Sequence, residues 1–176
     1  MDNRKLQIGV MGTAADLKYS KDLEVIAEEI GRKIAQKGGI LLFGAEKDTD
    51  SLSTAACRGA KEAGGLTVGI TYGKGKDIVE KGADVIIPTG LERGGGREFV
   101  LSLACDVLIA LNGGSGTLNE IAVAYQANIP IIVIEGTGGW SERLADSYLD
   151  QRKRVKIVKA KDPEEAVNLA FELGLK

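Results

Sequence analysis

Apolar residues follow two patterns that alternate along this chain. Short and mostly unbroken apolar runs occupy Leu6 to Met11, Ile40 to Phe43, Leu66 to Ile70, Asp84 to Pro88, Asp106 to Leu111, Pro130 to Ile134 and Val155 to Val158. Continuous runs, as opposed to runs that alternate with polar residues, predict strands covered on both faces, the pattern of a parallel sheet. Helical spacing fills most of the intervals. Leu23, Ile26, Ala27, Ile30 and Ile34 repeat at helix period behind Ser20, a capping residue, and Gly38-Gly39 ends that segment. Ala56, Ala60 and Ala63 form a narrow stripe stopped by Gly64-Gly65; Leu118, Ile121, Ala122 and Tyr125 give another face, and Leu144, Ala145, Tyr148 and Leu149 a further one. The last helix is predicted to open at Asp162-Pro163-Glu164-Glu165, a capping box with proline at the first helical position, and to close at Gly174.

Strand alternating with helix throughout predicts one doubly wound α/β domain over 1–176, with a mainly parallel sheet of about seven strands and right-handed crossovers. Ligands of such sheets bind beyond the carboxyl ends of the strands. The glycine-rich segments Gly12-Thr13-Ala14, Gly44-Ala45, Gly90 to Arg97, Asn112 to Thr117 and Gly136 to Trp140 each follow a strand, so they are expected on one rim.

Composition narrows the chemistry. At 176 residues and 44% hydrophobic, the chain can bury one core. Its net charge of -2 comes from 23 basic and 25 acidic side chains that are interspersed, so neither a nucleic-acid stripe nor a membrane patch stands out. No segment approaches the ~20 apolar residues that span a bilayer, and a cytoplasmic protein is expected. Two cysteines without any histidine exclude a Cys/His zinc set and an imidazole-based triad, so no metal site is expected. Cys57 and Cys105 read as buried thiols in helical surroundings.

The segment NGGSGTLNE, Asn112 to Glu120, carries the most chemistry. A buried strand that empties into three glycines, two hydroxyls and a helix start gathers backbone N–H groups around one concavity and polarises it positively. The candidate phosphate ligands are Asn112, Gly113, Gly114, Ser115, Gly116 and Thr117, with Gly12 and Thr13 from the first rim loop. A helix end alone contributes ~0.3–1 kcal/mol, too little to hold a nucleotide, whereas three or four charge-assisted bonds at ~1.5–3 kcal/mol each suffice. Too few glycines follow the first strand for a dinucleotide fingerprint, and NAD is not expected.

The stretch ERGGGREFVLSLACDVLIALNGGSGTLNE resembles the signature of the superfamily of LONELY GUY cytokinin-activating phosphoribohydrolases and molybdenum-cofactor carrier proteins, and lies nearer the carrier-like branch. In the hydrolases an arginine precedes an apolar strand and PGGxGTxxE; here Arg97 stands nine residues before Asp106, and Glu120 closes the motif. The resemblance implies a Rossmann-like nucleotide-binding protein and makes Arg97 and Glu120 the candidate catalytic pair: a carboxylate to stabilise oxocarbenium charge during N-glycosidic cleavage, and a guanidinium to clamp phosphate or base. It also implies a small phosphorylated ligand, nucleotide or pterin, with molybdenum cofactor as a possible cargo, and a homo-oligomer, dimer or tetramer, built on helices beside the glycine motif. Three readings follow: a carrier, a phosphoribohydrolase acting on nucleoside 5′-monophosphates, and a structural or regulatory subunit.

The residues alone leave alternatives open. If Thr117 caps its helix, Glu120 completes a purely structural capping box. Arg97 could be a surface residue, Arg93 is a weaker candidate in the same loop, and Trp140 could stack on a ring or pack at an edge. Two departures from the resemblance stand out. Asn112 replaces the hydrolase proline, and GAEKDTDSL puts Glu46, Asp48 and Asp50 where a second glycine-rich phosphate loop is expected. These acids repel phosphate, lack the glycine and closing glutamate of an EF-hand, and read as a solvated lead-in to a helix.

Overall fold

Seven strands form one wholly parallel sheet: β1 (Gln7–Gly12), β2 (Ile40–Gly44), β3 (Leu66–Thr71), β4 (Val85–Pro88), β5 (Val107–Leu111), β6 (Ile131–Ile134) and β7 (Ile157–Ala160), in the order β4-β3-β2-β1-β5-β6-β7. The structure is a computed structural model and describes residues 4–93 and 95–175; Gly94, within the glycine run before Arg97, and the extreme termini lie outside the described residues. Each predicted run becomes a strand. The last starts later than its apolar run because Ile157, not Val155, is the first residue in register with β6, while Val155 packs into the core from the preceding loop.

The chain steps outward from β1 to β4, then returns to lay β5 on the opposite side of β1. Direction therefore reverses between β1 and β5, and their carboxyl ends diverge into a crevice. Helices α1 (Lys21–Gln36), α2 (Leu52–Glu62) and α6 (Pro163–Gly174) cover one face; α3 (Gly96–Leu103), α4 (Ser115–Gln126) and α5 (Gly139–Leu144) cover the other. Strand side chains alternate between two cores, with Val107, Ile109 and Leu111 turned to the first and Leu108 and Ala110 to the second. Ser20 and Asp162 cap α1 and α6 as expected, and Ser51 caps α2. Cys57 and Cys105 are buried free thiols, although Cys105 lies just beyond α3 and not within a helix. Among the described residues, no helix is long and apolar enough to cross a membrane.

The apolar spacing through Tyr148 and Leu149 overstates α5. That helix ends at Leu144, because Ala145 turns extended (ψ 134) and Asp146 takes a left-handed φ of 57°. Leu144, Ala145 and Leu149 still rest against the second core, so burial alone accounts for the spacing.

The alanine stripe of α2 serves a helix–helix contact as well as the sheet. A Cβ on Gly31 of α1 would lie 1.9 Å from the Ala56 carbonyl oxygen, and one on Gly59 of α2 would lie 1.8 Å from that of Glu28. The helices thus touch backbone to backbone at two points. Gly31→Ala should lower stability by about 1–3 kcal/mol through overpacking, against the ~1 kcal/mol gain that alanine brings to an unobstructed helix. Urea titration of the two proteins measures the sign; a more stable variant would contradict the contact.

Candidate ligand-binding site

At the crevice, the chain leaves β5 through Asn112 in a left-handed conformation, φ 54°, followed by Gly113 at φ 98°. Hydrogen bonds hold this turn from every side. Thr13 Oγ1 donates to Asn112 Oδ1 (2.6 Å), and the Gly113 N–H is shared between Thr13 Oγ1 (2.7 Å) and Asn112 Oδ1 (2.8 Å). Asn112 Nδ2 donates to the Thr137 carbonyl (2.7 Å), and the Asn112 N–H donates to Thr137 Oγ1 (2.9 Å). The N–H groups of Trp140 and Ser141, at the start of α5, donate to the carbonyls of Gly113 and Asn112. Loops after β1, β5 and β6 are thereby joined at one residue.

Beyond this knot, α4 begins. Its N-cap is Gly114, which makes no side-chain capping bond, whereas Ser20, Ser51 and Asp162 close α1, α2 and α6. Thr117 is therefore the third helical residue and not the cap, and Glu120 lies in the second turn; the capping-box reading of Glu120 fails. A Cβ at Gly114 would come within 2.7 Å of the Leu17 side chain, so glycine suits the cap. The first three N–H groups of α4, on Ser115, Gly116 and Thr117, have no acceptor within the helix. They open onto a cavity of about 530 Å³.

Eight of the ten predicted site residues line that cavity: Gly12, Thr13, Gly114, Ser115, Gly116, Thr117, Arg97 and Glu120. Asn112 and Gly113 stand behind the wall, and Trp140 is not among the described lining residues; its ring stacks against Arg143, 5.0 Å away. The glycines divide by purpose. A Cβ at Gly12 would strike Leu52, and one at Gly113 would strike Thr117 at a φ that already calls for glycine, so the fold requires both. A Cβ at Gly116 would meet nothing within 4 Å. Its bareness serves the open space in front of it.

Arg97 is not on the surface. It is 5% exposed, with Nη2 3.3 Å from Glu46 Oε1 and 3.3 Å from Glu98 Oε1, while Nε and Nη1 have no partner. Gly44 makes room for it, since a Cβ there would come within 2.4 Å of Nη1. Glu46 corrects the expectation of a solvated acidic lead-in: it is 8% exposed and holds Arg93 as well as Arg97, with Arg93 Nη2 2.6 Å from its Oε2. Arg93 also stacks on Tyr72, whose hydroxyl donates to Asp48, and Asp50 pairs with Arg58. The acidic loop is thus tied down acid by acid. Glu46, Glu98 and Asp16 are cavity residues that sequence reasoning missed; the clue available for Glu46 was its place two residues past the end of a strand, on the ligand-bearing rim.

Four carboxyl groups, on Asp16, Glu46, Glu98 and Glu120, share the cavity wall with two guanidinium groups. The excess of acid shows at Glu120. Burial, reinforced by Glu98 and Glu46 and opposed by Arg97, pushes its carboxyl up to about 8. Among the described residues, no three His, Cys, Asp or Glu side chains cluster to hold a metal ion.

Residues 5–167 match the model of the SLOG cluster4 family. A protein of Archaeoglobus fulgidus described only as uncharacterized is 36% identical over 137 residues, covering 74% of this chain and 85% of that one. The molybdenum cofactor binding protein of the phototrophic bacterium Rippkaea orientalis has a similar structure, with TM-score 0.81 and 31% identity over 97% of this chain and 98% of that one. The molybdenum cofactor carrier protein of Chlamydomonas reinhardtii is likewise similar, with TM-score 0.82 and 32% identity over 98% of this chain and 100% of that one.

A buried carboxyl that stays protonated near neutral pH weighs on stability. Below its ordinary titration near 4.5, folded and unfolded chains both carry the proton and the group is neutral in the balance. As pH rises toward 8 only the unfolded chain ionises, which favours unfolding; above 8 the folded chain ionises too and the loss levels off. Glu120→Gln should therefore melt higher than the parent at pH 8, by a gap on the order of a few kcal/mol that shrinks toward zero near pH 4.5. Thermal melts across that range check it, and a gap that does not change with pH would refute the burial of the charge.

Proposed function

Because this chain belongs to the SLOG cluster4 family, we propose that it binds a small phosphorylated ligand of the nucleotide or pterin class in the cavity beyond β1 and β5, and carries it without cleaving it. One observation carries the reading: the first turn of α4, Gly114 to Thr117, is uncapped and faces a cavity of the size that small cofactors fill. Likeness to two proteins described as binding or carrying molybdenum cofactor favours that pterin as cargo. With no cluster of metal-binding side chains among the described residues, grip on such a cargo falls to its pterin and phosphate. Two buried free thiols suit a reducing compartment, and the reading places the carrier in the cytoplasm.

One feature supports carriage over hydrolysis, while the Glu120 carboxyl, raised to about 8 by burial, suits a proton donor to a leaving base as well as an idle buried acid. Asn112 occupies a φ of 54°, and proline, fixed near -65°, cannot follow that path, so this loop differs in backbone from one built on PGG. Arg97 and Glu120 nevertheless share the cavity, and the hydrolase remains the alternative that the assay must exclude.

The protein is titrated with molybdenum cofactor and a panel of nucleoside 5′-monophosphates, following melting temperature and, by chromatography, free base. Saturable binding without base release is expected. Gly116→Ala should raise the melting temperature of the free protein, because alanine favours the helix and meets nothing there, yet weaken the ligand about tenfold through crowding of one charge-assisted bond. Base release abolished by Glu120→Ala would convert the reading to a phosphoribohydrolase. No melting shift at ~100 times a plausible dissociation constant, where ~2.7 kcal/mol is due, would leave only a structural role.

The same reading includes a homo-oligomer. Phe99 and Leu103 of α3 are 51% and 57% exposed and adjoin Ala122 and Val123 of α4, with Ala127 just beyond that helix, around a shallow apolar cleft. A second copy on that face would bury a patch of the kind monomers rarely display. Light scattering should give at least twice 18.6 kDa, and Leu103→Glu should return the mass to 18.6 kDa; a parent already at that mass rejects the assembly.

A further inference from the structure

The cavity wall offers different groups along the sheet. On the β5 side stand donors, the free N–H groups of Ser115 to Thr117. On the β2 side stands an acceptor, the Glu46 carboxylate, two residues beyond Gly44. β1 lies between them, so the two ends are two strand spacings apart, roughly 10 Å. An anion on the first turn of α4 leaves the Glu46 carboxylate unused. A ligand that complements both carries a negative group at one extremity and a donor-rich edge at the other.

Glu46 presents that acceptor in a defined form. Each of its oxygens receives one N–H, Oε1 from Arg97 and Oε2 from Arg93. Arg93 is the replaceable partner, since its side chain is 47% exposed and returns to water when displaced, with Tyr72 beneath it. Arg97 stays, buried in the same wall with Nε and Nη1 unpartnered, and keeps the carboxylate oriented. A carboxylate whose two oxygens accept from adjacent donors matches an N–H beside an NH₂, whereas the edge of adenine sets a ring-nitrogen lone pair against it.

We propose that Glu46 is a specificity-determining residue: its carboxylate reads the paired N–H and NH₂ donors of a 2-amino-4-oxo ring, the edge shared by guanine and pterins, while the phosphate of the same ligand lies on the first turn of α4. This rests on the phosphorylated-ligand reading above and specifies which heterocycle the site admits. The family resemblance supplies no such residue, because its second loop is glycine-rich where this chain has Glu46.

Isothermal titration with guanosine 5′-monophosphate, neopterin monophosphate, adenosine 5′-monophosphate and ribose 5-phosphate tests it. The guanine or the pterin compound, or both, should bind about tenfold or more tightly than the adenine one, and which of the two does so identifies the source of the ring. In Glu46→Gln that ratio should fall to about one while ribose 5-phosphate binds as before or better; a merely structural Glu46 would weaken every compound in proportion. Arg93→Ala, which removes the competitor for the carboxylate, should widen the ratio, and a narrowed ratio would assign the recognition to Arg93 and overturn the role of Glu46. Ribose 5-phosphate binding with equal guanine, pterin and adenine affinities would overturn this inference alone. Failure of all four to bind would overturn the phosphorylated-ligand reading with it.

Discussion

The rest of the site depends on one residue held in an unfavourable backbone conformation. Asn112 takes a left-handed φ at the point where the sheet reverses direction, and its side chain supplies both the acceptor for Thr13 and the donor for Thr137 that keep it there. Asparagine tolerates that conformation better than other residues with a Cβ, through local hydrogen bonds of this sort. The knot lets β5 turn abruptly into α4, so that the helix starts at the crevice with its N–H groups bare. Behind it, α5 is anchored by its first N–H groups to the carbonyls of Asn112 and Gly113, and Gly139 is pressed so close that a Cβ would sit 2.5 Å from the Asn112 carbonyl carbon. Any motion of the turn at Asn112 would have to break contacts with the loops after β1 and β6 at once.

The second constraint is electrostatic. Arg97 is buried without enough partners for its five donors, and the carboxylates around it stand at 3.3 Å, longer than a strong charge-assisted bond. Arrangements optimised only for stability fill such sites or neutralise them. Here the incomplete pairing persists beside an open cavity, and burial, with Glu98 and Glu46 adding to it, pushes the Glu120 carboxyl up. Unspent donors and a displaced titration in one wall are features that ligand sites carry.

The strands and their parallel order were legible because a strand buried on both faces must be apolar at every position, and no other short element imposes that demand. The glycine loop and its helix were legible from composition at the strand end. Legibility failed where the deciding partner is distant. Glu46 pairs with an arginine 51 residues away, so only its place two residues past β2 sets it apart in GAEKDTDSL from Asp48 and Asp50, which are tied to Tyr72 and Arg58. Glu120 looked like a capping acid because Thr117 is a good cap; only the knot at Asn112 moves the helix start back to Ser115. The overlong α5 failed for another reason, since Leu144, Ala145 and Leu149 are buried by a turn that happens to mimic helical spacing.

One helix joins the two surfaces that matter most. The first turn of α4 faces the cavity, while Ala122, Val123 and Ala127 further along belong to the exposed apolar cleft, and Asn119 borders both. Successive residues of a helix sweep around its axis at 100°, so a twelve-residue helix can present its end to the cavity and an apolar side to the cleft without conflict. Its inner face, Ile121, Ala124 and Tyr125, is fully committed to the second core. With one face buried and its N-terminus fixed by the knot, α4 has no freedom to tilt independently of the sheet. A partner seated on its outer side would therefore meet the ligand site as a rigid neighbour, in contact through Asn119, and the two surfaces would be held in fixed relation by the same buried residues.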